Sequence, residues 1–181
     1  SLGCRRYVDD FSSLSDFIDK DAKILDLGCG VGHISYILAR QGFLNITASE
    51  ISEPTPLYVQ NFNNNETSTV NIDYIAANIL QNNHALSDKK FDAVIICGVL
   101  EHVPDMHKFL KKIFSLLSPG GKLFIFQFPN KYSILEKVND YMDKSSHDIR
   151  LSKYELGLLA TFSDFKVIQK SYHQFLPYTL A

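Results

Sequence analysis

The sequence predicts a doubly wound α/β fold, a mostly parallel sheet with helices on both faces. Short apolar runs rich in β-branched residues alternate with stretches of helical period, the pattern of strands joined by crossover helices. The run Phe91–Cys97, FDAVIIC, is apolar almost throughout, as a strand buried on both faces must be. Behind another apolar run comes ILDLGCGVGH, Ile24 to His33, which packs three glycines into five residues where a strand should turn into a helix. A chain of 181 residues, 45% of them hydrophobic, suits a single domain burying roughly 70% of its unfolded surface around one core.

Taken in order, Ile24–Gly28 reads as the first strand. The helix after the glycine loop runs to Arg40, places Ile34, Ile37 and Leu38 on one face, and stops at Gly42. Asn45–Ser49 and Asn71–Ala76 are the second and third strands, and Phe91–Cys97 the fourth, expected at the sheet's centre. Asp105 can cap a helix whose Met106, Phe109, Leu110, Ile113, Leu116 and Leu117 form an apolar stripe; Pro119-Gly120-Gly121 breaks it before a strand at Lys122–Phe128. The four asparagines of Asn61–Asn65 read as a frayed helix end and a solvated turn. No internal repeat interrupts this order.

Composition removes several functions. With 18 basic and 20 acidic residues and a net charge of -2, the chain lacks the basic footprint of a nucleic-acid binder. Cys4, Cys29 and Cys97 have neither disulfide nor metal-ligand spacing, so no metal is expected and a reducing, cytoplasmic setting is. No apolar run reaches 18 residues and no charged-then-apolar leader is present, so neither a membrane span nor a secretory signal is expected.

The glycine loop then stands at the carboxyl end of a parallel strand, where open α/β sheets bind ligands. Glycines let a ligand touch the backbone, and the following helix offers unpaired N–H groups to an anionic end. Glu50 closes the second strand about twenty residues on, placed to accept two hydrogen bonds from a ribose diol. The ligand is therefore read as a nucleoside. A dinucleotide fingerprint would need glycine at position 33, where this chain has His33.

Together DLGCGVGH, Glu50, FDAVIICGVLEHVPD and LSPGGKLFIF resemble the class I S-adenosylmethionine-dependent methyltransferases, a Rossmann-like family, in matching order from residue 22 to about 175. Within it the chain looks most like small-molecule methyltransferases; Ser145–Leu156 (SSHDIRLSKYEL) is similar to ubiquinone-pathway O-methyltransferases. The resemblance implies S-adenosyl-L-methionine as cofactor, S-adenosyl-L-homocysteine as product and a small-molecule acceptor methylated at oxygen. It implies that Gly28, Cys29, Gly30 and Gly32 carry the methionine part, with Asp26 attracting its ammonium. Glu50 would hold both ribose hydroxyls, with Ile51 on the adenine. Asn78, beside Ile79, stands where the family often has an aspartate facing the adenine amino group, and its amide oxygen can accept the same bond. Gly98, Val99 and Leu100 would border the sulfonium and the acceptor. Cys29 and Cys97 otherwise read as small buried residues.

An acceptor hydroxyl or amine must lose a proton, and His102, just beyond the fourth strand, is the candidate base, since imidazole exchanges protons near neutral pH. Its bland alternative is a hydrogen bond within the loop before Pro104. Tyr132 and His147 are lesser candidates in 129–150, a stretch without a core pattern that could form a lid over the acceptor or a solvated connection. Glu101 is assigned a structural role. The domain thus divides into a cofactor-binding core at 22–128, the lid at 129–150 and a carboxyl-terminal helix and edge strand at 151–181. Phe165–His173 would supply that strand, and Gln174–Ala181 is short for another, so the final edge strand is expected to be missing and the apolar FLPYTLA to offer a protein or membrane-surface contact. Two competing readings are a nicotinamide-dependent oxidoreductase, on βαβ order alone, and a catalytically silent cofactor-binding partner subunit.

Overall fold

The computed structural model describes residues 11, 13–51, 56–65, 71–82, 84–133, 141 and 149–169. A 3-10 turn at Ser13–Asp16 leads into β1 (Lys23–Leu27), α1 (His33–Arg40), β2 (Asn45–Glu50), α2 (Leu57–Asn65), β3 (Ile72–Ala76), β4 (Phe91–Cys97), α3 (Met106–Leu116), β5 (Leu117–Phe126) and α4 (Lys153–Phe162). The strands pair in the order β3-β2-β1-β4-β5, every neighbour parallel. Among the described strands the middle one is β1, with β4 beside it and β5 beyond.

Alternation along the strands sorts the core into two layers. Ile24, Ile46, Ile72, Ala93 and Ile95 face one way, against Ile34 and Leu38 of α1, Val59 and Phe62 of α2, and the amino-terminal Phe11 and Leu14. Leu25, Leu27, Val94 and Ile96 face the other, against Phe109, Leu110, Ile113 and Leu116 of α3, with Leu156 and Leu159 of α4 beside them. Helices thus cover both faces, as the alternating pattern requires. Asp105 caps α3 by accepting the Lys108 N–H at 2.9 Å, the role its position predicts.

Some expected boundaries need correction. The first strand ends at Leu27 because Gly28 already has a φ of +74°. The last strand begins at Leu117 rather than Lys122: Leu117 pairs with Phe91 and Lys122 with Ala93, so the four residues between them, including Pro119-Gly120-Gly121, bulge out of the ladder instead of preceding it. It stops at Phe126 because Gln127 turns to a φ of +57°. Residues 165–169 form no strand; the Phe165 N–H donates to Ala160 O at the end of α4, and its ring stands edge-on to Phe114 at 5.4 Å. The remainder of that expected strand, and the apolar ending, lie outside the described residues. The asparagine cluster is more than a solvated turn, since the Asn63 amide brackets Ile72 at the start of β3, donating to its carbonyl at 2.9 Å and accepting its N–H at 3.0 Å.

Candidate functional site

The chain runs outward from β1 through β2 to β3, then returns to place β4 on β1's other side. Strand order reverses between β1 and β4, and a crevice at their carboxyl ends is the ligand position in such sheets. The two loops there touch. A Cβ built on Gly28 would meet Val99 Cγ2 at 2.6 Å, so the absent side chain is what lets the β1 and β4 loops close together. Gly32 is closed off in the same way, its Cβ direction blocked by Val59 Cγ2 at 2.8 Å. Gly30 differs: its φ is +54°, and nothing lies within 4 Å of where a Cβ would stand. Of the three loop glycines, it alone opens onto space.

Glu50, half-buried at the end of β2, reaches this loop. Its Oε2 accepts the Gly30 N–H at 3.0 Å and its Oε1 accepts the Ile51 N–H at 2.8 Å, so the carboxylate is fixed at the crevice by two backbone donors. Carboxylate oxygens accept more than one bond each, which leaves capacity for a diol. Beside it Ile51 is 69% exposed, an apolar side chain at the surface. The Gly28 and Cys29 N–H groups both donate to Ser49 O, tying the loop to the same strand end.

Under the loop, Asp26 is 1% exposed, and its Oδ2 accepts from the Ser35 N–H at 3.0 Å and the Ser35 hydroxyl at 2.6 Å. Burial holds its carboxyl up at about 6, against the opposing pull of the Ser35 bonds. Burial, reinforced by the Asp26 and Glu50 carboxylates, likewise pushes the Cys29 thiol far up, so this sulfur stays protonated and unreactive. Cys29 and Ile79 are both buried, leaving their backbone as the part that can meet a ligand. Asn78 is half-buried, its side-chain oxygen accepting the Leu80 N–H at 3.0 Å. Sequence reasoning singled out Asp26 but missed Ser35; a glycine at the helix cap followed by serine three residues on is the signal that marks it.

On the β4 side, Gly98 and Val99 are half-buried and lead into a 3-10 turn at Leu100–His102. Glu101 is buried in this turn with its Oε1 toward Gly98. His102 is exposed, its N–H bonded to Val99 O at 3.0 Å. Along the same edge of the sheet, past the end of β5, a cavity of about 480 Å³ is lined by Lys131, Tyr132, Ser152, Lys153, Tyr154 and Glu155. Asn130 forms an isolated parallel bridge with Leu151 just before these residues in each segment, and Lys131 Nζ pairs with Glu155 Oε1 at 2.5 Å. That ammonium, with the Ser152 bonds of the α4 capping box, draws the Glu155 carboxyl down to about 2. His147 and most of 129–150 lie outside the described residues.

A family model described as a methyltransferase domain matches residues 3–169. The chain belongs to that family, the class I S-adenosylmethionine-dependent methyltransferases. Among similar proteins of this family is the ubiquinone biosynthesis O-methyltransferase of Coxiella burnetii, 34% identical over 138 residues, which are 71% of this chain and 56% of the relative. That of Xanthomonas axonopodis pv. citri is 38% identical over 104 residues, 58% of this chain and 42% of its own length. The chain therefore spans about half the length of the curated relatives it matches. In fold the chain resembles the magnesium protoporphyrin IX methyltransferase of Synechocystis PCC 6803 crystallised with S-adenosylhomocysteine, with a TM-score of 0.70 at 19% identity over 92% of this chain and 75% of that one. The 1,6-didemethyltoxoflavin-N1-methyltransferase of Burkholderia thailandensis gives 0.67 at 19% identity over 90% and 68%. These neighbours place the five-stranded sheet in the Rossmann-like methyltransferase fold. No helix among the described residues is long and apolar enough to cross a membrane.

Proposed function

We propose that the protein transfers a methyl group from S-adenosylmethionine to an oxygen of a small-molecule acceptor. The observation that carries this reading is Gly30: the one loop glycine with open space above it has its N–H held by the Glu50 carboxylate. The residues present fit the cofactor. A backbone cradle with no Cβ, a fixed carboxylate for a diol, an exposed Ile51 for an adenine and a buried Asp26 for an ammonium converge on one crevice. Gly98 and Val99 close it from the β4 side, and Asn78 offers an amide to the base's edge. On this reading the core at 22–128 carries the cofactor. Methylation at oxygen is supported by the O-methyltransferases among the relatives.

When bound, S-adenosylmethionine supplies a methyl group made electrophilic by its sulfonium. What remains for the protein is alignment, exclusion of water and removal of the acceptor's proton. Glu50 and the glycine loop fix one partner of an in-line displacement. His102, exposed beside Val99, accepts the proton of a hydroxyl brought to the β4 side. The test is a screen of phenols, alcohols and amines with the isolated chain, read as S-adenosylhomocysteine released. Turnover with hydroxyl compounds and none with amines is expected; exclusive methylation of amines would overturn the assignment to oxygen, and no turnover with any class would favour a silent subunit.

A further inference from the structure

Asp26 and Ser35 form a buried pair beneath the glycine loop. Ser35 is wholly buried in the first turn of α1, whose cap, Gly32, has no side chain to accept an amide. Asp26 takes that place from the neighbouring strand, its Oδ2 receiving both the N–H and the hydroxyl of Ser35. The positive end of the helix therefore grips one oxygen of a carboxylate that has been withdrawn from water. Across the sheet its neighbours are the apolar Ala48 and Ile95. The other titratable groups facing it are Glu50, which repels it, and the Cys29 thiol in the loop, which stays neutral. From α1 only the two Ser35 donors favour its charge.

We infer that Ser35 is a positioning residue whose hydroxyl keeps the Asp26 carboxylate ionised and aimed at the cofactor's ammonium, linking cofactor affinity to a proton on Asp26. The inference rests on the proposed cofactor site. Since burial already holds the carboxyl up at about 6, free protein near that pH is a mixture of protonated and ionised forms. Only the ionised form pairs with a cation, so binding there releases the carboxyl proton to solvent. Losing the hydroxyl removes one charge-assisted bond from the ionised form and raises the titration further.

The test is calorimetry with S-adenosylhomocysteine on the full chain from pH 5 to 8, in two buffers of different ionisation heat. Wild type should release about half a proton per ligand at pH 6 and almost none at pH 8. In Ser35→Ala the affinity midpoint should move up by about one pH unit, giving roughly a fivefold loss at pH 6 and near-recovery at pH 8. Ser35→Cys keeps the shape but donates weakly, and should shift in the same direction, which covers an alanine variant that fails to fold. In Asp26→Asn the proton release should vanish. Carbon NMR titration of the Asp26 carboxyl in ligand-free wild type and Ser35 variants should show the same upward move. An unchanged midpoint and unchanged carboxyl titration in the Ser35 variants would overturn the inference. A wild-type chain that does not bind S-adenosylhomocysteine at all would instead overturn the cofactor reading, with the carboxyl titration still deciding the role of Ser35.

Discussion

The two sides of the crevice are built differently. On the β1 and β2 side almost every polar group has a fixed partner: Glu50 holds two backbone amides, Ser49 O takes two more, and Asp26 is locked to Ser35. On the β4 and β5 side, functional candidates stand on exposed turns, with His102 on the surface and Tyr132 63% exposed above an open cavity. A rigid half suits a ligand that never changes, and adaptable surface loops suit an acceptor that differs from one family member to another. The contrast implies that substitutions on the first side should weaken cofactor binding or the fold that supports it, whereas those on the second should alter chemistry with binding intact.

The strongest break of that contrast is Gly30→Val. The branched side chain enters the one open space of the loop, so cofactor affinity should fall below detection by calorimetry while far-ultraviolet circular dichroism keeps the wild-type spectrum. Gly28→Ala is its counterpart: there the new Cβ meets Val99 at 2.6 Å with φ positive, and the fold itself should lose about 2–4 kcal/mol in urea titration.

Asp26 gives a pH signature of the rigid side. Its folded carboxyl sits at about 6 against an ordinary 3.8, so the native state binds this proton more tightly than the unfolded chain. The associated stability is present in full below pH 4 and is lost as pH rises through 6. The loss is on the order of 3 kcal/mol in the ligand-free protein. Asp26→Asn should flatten that part of the urea-stability profile measured between pH 4 and 7, where other groups permit folding.

Chemistry without binding is tested at His102. His102→Ala should lower turnover about a hundredfold with cofactor affinity nearly unchanged; turnover close to wild type would make this histidine a loop residue. A smaller effect is expected at Glu50→Ala. Charged hydrogen bonds contribute about 1.5–3 kcal/mol, so affinity for S-adenosylhomocysteine should drop roughly tenfold or more, read by the same calorimetry.

Legibility in the sequence follows the same divide. Period and composition located β1 to β4, α1 and α3 within a residue or two, because buried apolar faces leave a repeating trace, whereas the start of β5 was placed five residues late. The glycine loop and Glu50 were legible because backbone approach and a strand-end carboxylate constrain residue type. Hidden were relations between distant positions. Nothing local says that Leu117 pairs with Phe91 ahead of a bulge, that Asn63 brackets Ile72, or that Ser35 reaches back to Asp26. The β4 and β5 side was least legible, since exposed turn residues such as His102 and Tyr132 carry no periodic constraint at all.

The central claim is that the rigid half is an S-adenosyl site, and the most direct measurement is thermal melting of the wild-type chain with S-adenosylhomocysteine and, separately, with nicotinamide dinucleotides. At 100 times its dissociation constant a ligand adds about 2.7 kcal/mol to the folded state, so S-adenosylhomocysteine should raise the midpoint by several degrees and the dinucleotides by none. Protection by a nicotinamide dinucleotide with none from S-adenosylhomocysteine would contradict the account.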